Sequence, residues 1–329
     1  MIRASLLLLG LLVACAKSKP VPIAPLPPDQ PAEPVAEAPK PTPPDAQPAE
    51  PTPPPAPKGP LEVKLPAAKT TVKLVSTGTG KRAPLRYAPK QGGKQRVELA
   101  LDWAQTQSEA GKKPMPIVMP TILLSGEAET TAVADGVATN VLTIVTTDAR
   151  DVAGAAVPAD KFKTLLTSLG GMVITASVGQ AGNTGDTALR IDKPNEFTGD
   201  ALQIVALTLP AFPALPSEPV GVGAKWQATS SIMFAGKFPL TQQTDYEVTA
   251  RKGASWTIKG TTKVIGLDQD VGDGTKITGI KGAGSSETTL VDGVLYPTTR
   301  GTIETEFTAV DAEAKLTIAQ KVGATITSK

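Results

Sequence analysis

Histidine is absent from all 329 residues, and cysteine occurs once, at position 15. Without imidazole, no Ser-His-Asp or Cys-His catalytic site can be assembled, and metal sites built on imidazole or a thiolate cluster are excluded. A lone cysteine also forms no disulfide within the chain. Aromatics are scarce, three Trp, three Tyr and six Phe, which removes the stacking platform of a carbohydrate reader or a single-strand nucleic-acid binder. Neither sign of charge dominates, with 33 Lys and Arg against 31 Asp and Glu, so there is no electrostatic footprint for nucleic acid. Nor does any apolar run reach the roughly 20 residues of a membrane-spanning helix.

What is present begins with an export signal. Residues 1–14 carry one early positive charge, Arg3, then an apolar run from Leu6 to Val13 broken by Gly10, the pattern of a secretory signal peptide. The run ends in Leu12-Val13-Ala14-Cys15, which resembles the lipobox of bacterial lipoproteins. That resemblance implies that the Cys15 sulfur receives a diacylglycerol, that the chain is cut before Cys15, and that the new amino group can take a third acyl chain. The alternative is a free thiol in an ordinary signal peptide. Each buried methylene contributes about 0.8 kcal/mol, so two or three chains anchor durably where one does not. Ala16 and Lys17 follow the cysteine; lipoproteins held at the inner membrane commonly carry Asp there, so the resemblance implies an exported protein anchored in an outer membrane.

From Pro20 to Pro60, 18 of 41 residues are proline, and such a segment cannot offset the entropy of folding. Residues 15–60 therefore read as a lipidated cysteine followed by a disordered tether. "PPDQPAEP" (27–34) returns as "PPDAQPAEP" (43–51), as expected where length and stiffness matter more than one contact; recognition by a polyproline-binding groove is the sharper alternative. Fully extended, the tether reaches on the order of 140 Å.

Residues 61–329 alternate apolar and polar with the period of strands. Val97, Leu99, Leu101 and Trp103 oppose Arg96, Glu98 and Asp102; Trp256, Ile258, Thr262 and Val264 repeat the pattern, as do Tyr246 and Val248, and Ile303, Thr305 and Phe307. Asp135-Gly136, Asp273-Gly274 and Asp292-Gly293 are hairpin turns. The expected fold is mainly β, in the α+β class: a curved, largely antiparallel sheet or half-barrel of long strands packed on two short helices. One helix opens at Pro158 and closes at Gly170, with Phe162, Leu165, Leu166 and Leu169 at helical spacing; the other starts at Thr198 and stops at Pro210. Residues 61–329 read as one β-rich globular domain, or as two similar halves at about 61–195 and 215–329. The stretch 201–216 carries no charge, so it is either buried core or a lid over an apolar cavity.

"GGMVITASVGQAG" (170–182) and "LPSEPVGVGAKW" (215–226) resemble recurring segments of a family of bacterial envelope lipoproteins of unknown function. In that family an amphipathic helix leads to a strand, and an LP-x-x-PV-x-VG-x-x-W segment introduces the second half of a β-rich domain. The resemblance spans about 85–310 and carries no chemistry over to any residue.

Candidate sites are few. Asp268, Asp270 and Asp273 invite a calcium reading, but their spacing departs from an EF-hand and fits a polar hairpin loop. "STGTGKR" (76–82) lacks the first glycine and the hydroxyl residue of a phosphate loop. In "KKPMPIVMPTILL" (112–124), Met115 and Met119 lie beside prolines and an apolar run, either a core strand or a surface adaptable to apolar partners. The expected function is non-catalytic binding of an apolar ligand or lipid, with Met115, Met119, Leu202, Val205 and Leu209 as candidate contacts; the alternative is a structural docking module without a cavity. No enzyme activity, cofactor or metal is expected beyond the acyl groups on Cys15. The expected partners are the membrane, through the anchor, and a lipid or envelope protein.

Overall fold

Alternation along β4 (Lys94–Glu109) sets the two faces of the molecule: Val97, Leu99, Leu101 and Trp103 are buried while Arg96 and Asp102 are exposed, since successive strand side chains point to opposite faces. The computed structural model describes residues 59–329 apart from 196–197, 209–211, 235–237, 271–273 and 312–314, and apart from the side chains of 200, 203–204, 207–208, 232–234 and 238. Residues 56–329 form one compact unit. The expected anchor residues Leu12, Val13, Ala14 and Cys15, the tether, Leu209 and Asp273 lie outside the described residues.

β1 (Leu61–Leu65), β2 (Lys69–Ser76) and β3 (Thr79–Ala83) precede β4. A short β5 (Met115–Val118) continues through Met119 and Pro120 into β6 (Thr121–Ala134), and Asp135 and Gly136, both at positive φ, turn the chain into β7 (Val137–Arg150). Helix α1 (Ala159–Leu166), prolonged by a 3-10 turn at Thr167–Leu169, leads to β8 (Val173–Gly179) and β9 (Thr184–Ile191), and α2 (Thr198–Thr208) follows. The remaining strands are β10 (Val220–Val222), β11 (Lys225–Phe234), β12 (Phe238–Lys252), β13 (Ser255–Gly266), β14 (Gln269–Asp270), β15 (Lys276–Val291), β16 (Thr298–Val310) and β17 (Lys315–Ser328). The "STGTGKR" stretch thus enters a strand, β3, which pairs with β10.

One antiparallel sheet takes nearly all of these strands, in the order β1-β9-β8-β7-β6-β4-β17-β16-β15-β13-β12-β11-β2. Its two edges, β1 and β2, are consecutive in the chain and separated by Pro66, Ala67 and Ala68 alone. Four residue steps from Leu65 to Lys69 span at most about 14 Å, so the sheet must curl until its edges almost meet. No ladder joins β1 to β2, and the curl is held covalently rather than closed as a barrel. The expected curved antiparallel sheet is what the chain forms. β17 runs beside β4 from Val97 to Glu109 and stitches the C-terminal strands to the N-terminal ones. Lys64, Pro66, Lys69 and Lys73 stand on or between the edge strands, placements that discourage pairing with another chain.

Tight curvature needs small residues where strands bend. A β-bulge falls between Ser125 and Gly126, and any Cβ at Gly126 would collide with the Thr143 carbonyl oxygen; this is the close backbone approach that glycine alone permits.

Both helices fill the curl beside β7, β4, β17 and β1. Phe162, Leu166 and Leu169 of the first helical segment and Ala201, Leu202 and Val205 of α2 are buried, as are Leu99, Leu101, Leu142 and Ile144 on the sheet's inner side. Before α2, Thr198 Oγ1 accepts from the Asn195 backbone N–H at 2.7 Å and donates to Asn195 Oδ1 at 3.0 Å, fixing the helix start. Past the helix, Ala214 and Leu215 are buried too. Trp226 is 1% exposed, donates from Nε1 to the Ala214 carbonyl at 2.7 Å and stacks on Tyr246 at 5.3 Å.

Three tyrosines, Tyr87 and Tyr296 buried and Tyr246 half-buried, give the fold an alkaline limit. Burial pushes Tyr87 well above its usual value and raises Tyr246 and Tyr296 to about 12. The folded state therefore holds these protons more tightly than the unfolded chain, whose tyrosines titrate near pH 10. Their contribution is fully present below about pH 10 and is lost as pH climbs toward 12, at about 1.4 kcal/mol per pH unit for each tyrosine. Urea unfolding at pH 9 and pH 11 is expected to show a fall of several kcal/mol between them, with no histidine step near neutrality.

Candidate functional site

The inner wall of the curl is not uniform. On the strands under the helices it is closed: Leu99, Leu101, Ile122, Leu124, Leu142, Ile144, Ile174 and Leu189 are all buried. On β12, β15, β16 and β17, away from α1, the inward residues Gln242, Gly282, Gly284, Ile303, Thr305 and Val322 are only half-buried. Both walls face the same interior, so the difference lies in what covers them.

Register assigns the half-buried wall its chemistry. Across neighbouring strands Ser230, Gln242, Val264, Gly282, Thr305, Gln320 and Gln105 stand side by side, a row of amides, hydroxyls and small groups with no charge. Directly opposed residues share one face with Cβ atoms about 5 Å apart, so this row forms a continuous strip. One side of it is bounded by Leu240, Ile277, Ile280 and Phe307, which cluster with Val264 and receive Ile318 and Ile303. On the other side Thr244 and Thr262 hydrogen-bond each other at 3.0 Å, and further along Thr288 and Thr299 do so at 2.8 Å, so these inward hydroxyls are satisfied among themselves. Gln107 is 5% exposed and its Nε2 has no hydrogen-bond partner among the described residues.

The expected contact residues divide between two places. Met115 and Ile117 of β5 lie opposite Gln107 and Gln105, and the Met119 N–H donates to the Trp103 carbonyl at 3.2 Å, which brings β5 alongside the polar strip. Met115 is 39% exposed and Met119 half-buried. Leu202 and Val205 are elsewhere, on α2 itself, and keep no accessible surface. A side chain lining a cavity that admits even one water retains some, so these two residues are packed core in this conformation. The Gln row was not singled out from sequence; its signal was the parity of β4, which carries the inward face on from Trp103 to Gln105 and Gln107.

The outer face carries rows of paired charges. Lys225, Glu247, Lys259, Glu287 and Arg300 form an alternating ladder across five strands, with Lys225–Glu247 and Lys259–Glu287 each at 3.6 Å, and Lys281–Glu306 and Lys321–Glu304 each at 2.8 Å. A strand face against lipid would carry an apolar band, and each mid-membrane Lys or Arg there costs about 2–4 kcal/mol; this face is built for water. A groove of about 250 Å³ lies among β4, β6, β7 and β17, lined by residues that include Glu98, Ser125, Asp148 and Thr325. Its acids are committed to ion pairs: Asp148 with Lys163 at 2.9 Å, and Glu98 with Lys329 at 3.7 Å.

Among the described residues, no group of three or more Cys, Asp or Glu is placed to hold a metal, and no helix is long and apolar enough to cross a membrane. Asp268 Oδ1 accepts from the Gly279 N–H at 3.1 Å, which ties the suspected calcium stretch into a hairpin turn.

No family model and no curated protein matches the chain. Among solved structures it is similar to outer-membrane proteins: OccK11 (OpdR) of Pseudomonas aeruginosa at 6% identity, covering 75% of this chain and 100% of that one with a TM-score of 0.20; OprG of the same organism at 9% identity, covering 73% and 98% with a TM-score of 0.19; and a loop-deletion mutant of OmpT of Vibrio cholerae at 7% identity, covering 71% and 99% with a TM-score of 0.19.

Proposed function

We propose that the protein is a lipid-anchored lipoprotein of a bacterial envelope, exported, tethered through Cys15 to an outer membrane, and binding an uncharged, largely apolar molecule without catalysis. The observation that carries the binding reading is the contrast between the two inner walls: one is filled by helices, while the other leaves Ile303, Thr305, Val322 and Gln242 half-buried. On the strands flanking that wall, Lys259, Lys281, Glu287, Glu304 and Lys321 alternate to the outside and are exposed. A wall of uncharged groups favours a ligand that brings apolar bulk and no net charge, since an unpaired charge in such a place is costly. The lipobox-like segment supports the anchor, and the proline-rich tether supports a module held away from its membrane.

A fluorescent monoacylglycerol tests the location. Thr305→Trp, which fills the inner wall, is expected to weaken probe binding at least about tenfold, while Thr302→Trp on the exposed outer face of the same strand leaves it unchanged. Equal binding by both variants and the parent protein would contradict the assignment of the site.

A further inference from the structure

We infer that Gln105, Gln107 and Gln320 form a hydrogen-bonding site for the carbonyl group of a neutral acylated ligand, an ester or an amide. The inference deepens the binding function proposed above and rests on it. Gln107 and Gln320 are 5% and 7% exposed, unusual burial for a side chain with two donors and an acceptor. Leaving a buried donor unpaired costs about 1–3 kcal/mol, yet Gln107 Nε2 has no partner among the described residues. A glutamine kept at that cost in a strand, where an apolar residue would pack without penalty, is what a site requires when the missing acceptor arrives with a ligand.

Register brings the three amides together. Gln105 stands directly opposite Gln320, and Gln107 is two residues further along β4, opposite Ile318. On the other side of β4, Ile117 and Met115 of β5 face Gln105 and Gln107. Phe307 pairs with Ile318 and Thr305 with Gln320. The amides are therefore framed by Ile117, Met115, Ile318 and Phe307, surfaces suited to methylene chains, and Met suits chains of varied shape. No charged side chain belongs to this row, which leaves a phosphate or carboxylate head group without a counter-charge. An ester or amide carbonyl fits: it is uncharged, it accepts from Nε2, and it joins an apolar chain to a polar remainder. Without a ligand able to accept, the same amides raise the cost of holding a bare hydrocarbon.

The test is isothermal titration of residues 56–329 with 1-monooleoylglycerol, with oleoylethanolamide, and with the ether analogue 1-O-oleylglycerol, which has the same chain and no carbonyl. The parent protein is expected to bind the ester and the amide about tenfold more tightly than the ether, the size of one buried hydrogen bond. Gln107→Met keeps length and apolar packing and removes the amide; it is expected to lower ester and amide affinity about tenfold, to leave the ether unchanged, and to fold at least as stably as the parent. Gln320→Met gives a second, independent variant with the same expected pattern. Binding of ester and ether at equal affinity, unchanged in both variants, would overturn the carbonyl site while leaving the apolar site in place. A protein that binds none of the three compounds would overturn the binding function itself.

Discussion

Replacing Trp226 with alanine is expected to destabilise residues 56–329 by about 4 kcal/mol, read from the guanidinium unfolding midpoint at constant slope. Trp226 sits on β11, next to the edge strand β2, where Leu74 is its register partner. It is 1% exposed, stacks on Tyr246 at 5.3 Å, and donates from Nε1 to the Ala214 carbonyl at 2.7 Å. One ring therefore fastens the sheet edge to the segment that follows α2. Truncation opens a large cavity and leaves the Ala214 carbonyl without its donor, two penalties that add. Against a total of about 5–15 kcal/mol for a domain, the loss is severe. Trp226→Phe keeps the stack and loses the hydrogen bond, and is expected to recover more than half of it. A loss below about 1 kcal/mol in Trp226→Ala would mean that the edge is held elsewhere.

Cys15→Ser is expected to abolish lipidation entirely. Cys15 is the chain's one thiol, and a serine hydroxyl does not replace the thiolate in the alkylation by which a lipoprotein is acylated. In cells fed radiolabelled palmitate, the parent protein should carry label and mature with Cys15 as its first residue, while Cys15→Ser carries none and retains residues 1–14. Label on the Cys15→Ser protein would place the acyl group elsewhere and remove the anchor proposed here. Because Cys15 lies outside residues 56–329, the same substitution should leave unfolding of the β-rich unit unchanged.

Much of this architecture is written locally. Val97, Leu99, Leu101 and Trp103, or Ile303, Thr305 and Phe307, announce strands because side-chain parity is a nearest-neighbour property. Asp135-Gly136 announces its turn because both residues tolerate positive φ. Pro158 and Thr198 mark the helix starts in the same way. Sheet order is different in kind. Nothing near Leu65 or Lys69 signals that three residues carry the chain from one edge of the sheet to the other, and the β4–β17 ladder joins residues more than two hundred positions apart. Those pairings are decided by the whole chain's burial and leave no local mark.

The candidate site divides along the same line. Met115 and Met119 were legible as a stretch beside stiff prolines, and they border the polar strip. Leu202 and Val205 were legible only as apolar and uncharged, a description shared by a lid and by packed core; tertiary packing chose core. Glutamine in a strand reads as a wet-face residue, so Gln105, Gln107 and Gln320 became visible only once register placed them beside Thr305 and Gly282.

The most direct test of the binding function is native mass spectrometry with organic extraction of residues 56–329 purified from a bacterial periplasm. The expected result is close to one equivalent of a co-purified neutral acylated molecule, released on denaturation and lost in Thr305→Trp. A clean apo mass that stays unchanged after incubation with envelope lipids would contradict that function and point to a docking module whose partners are proteins.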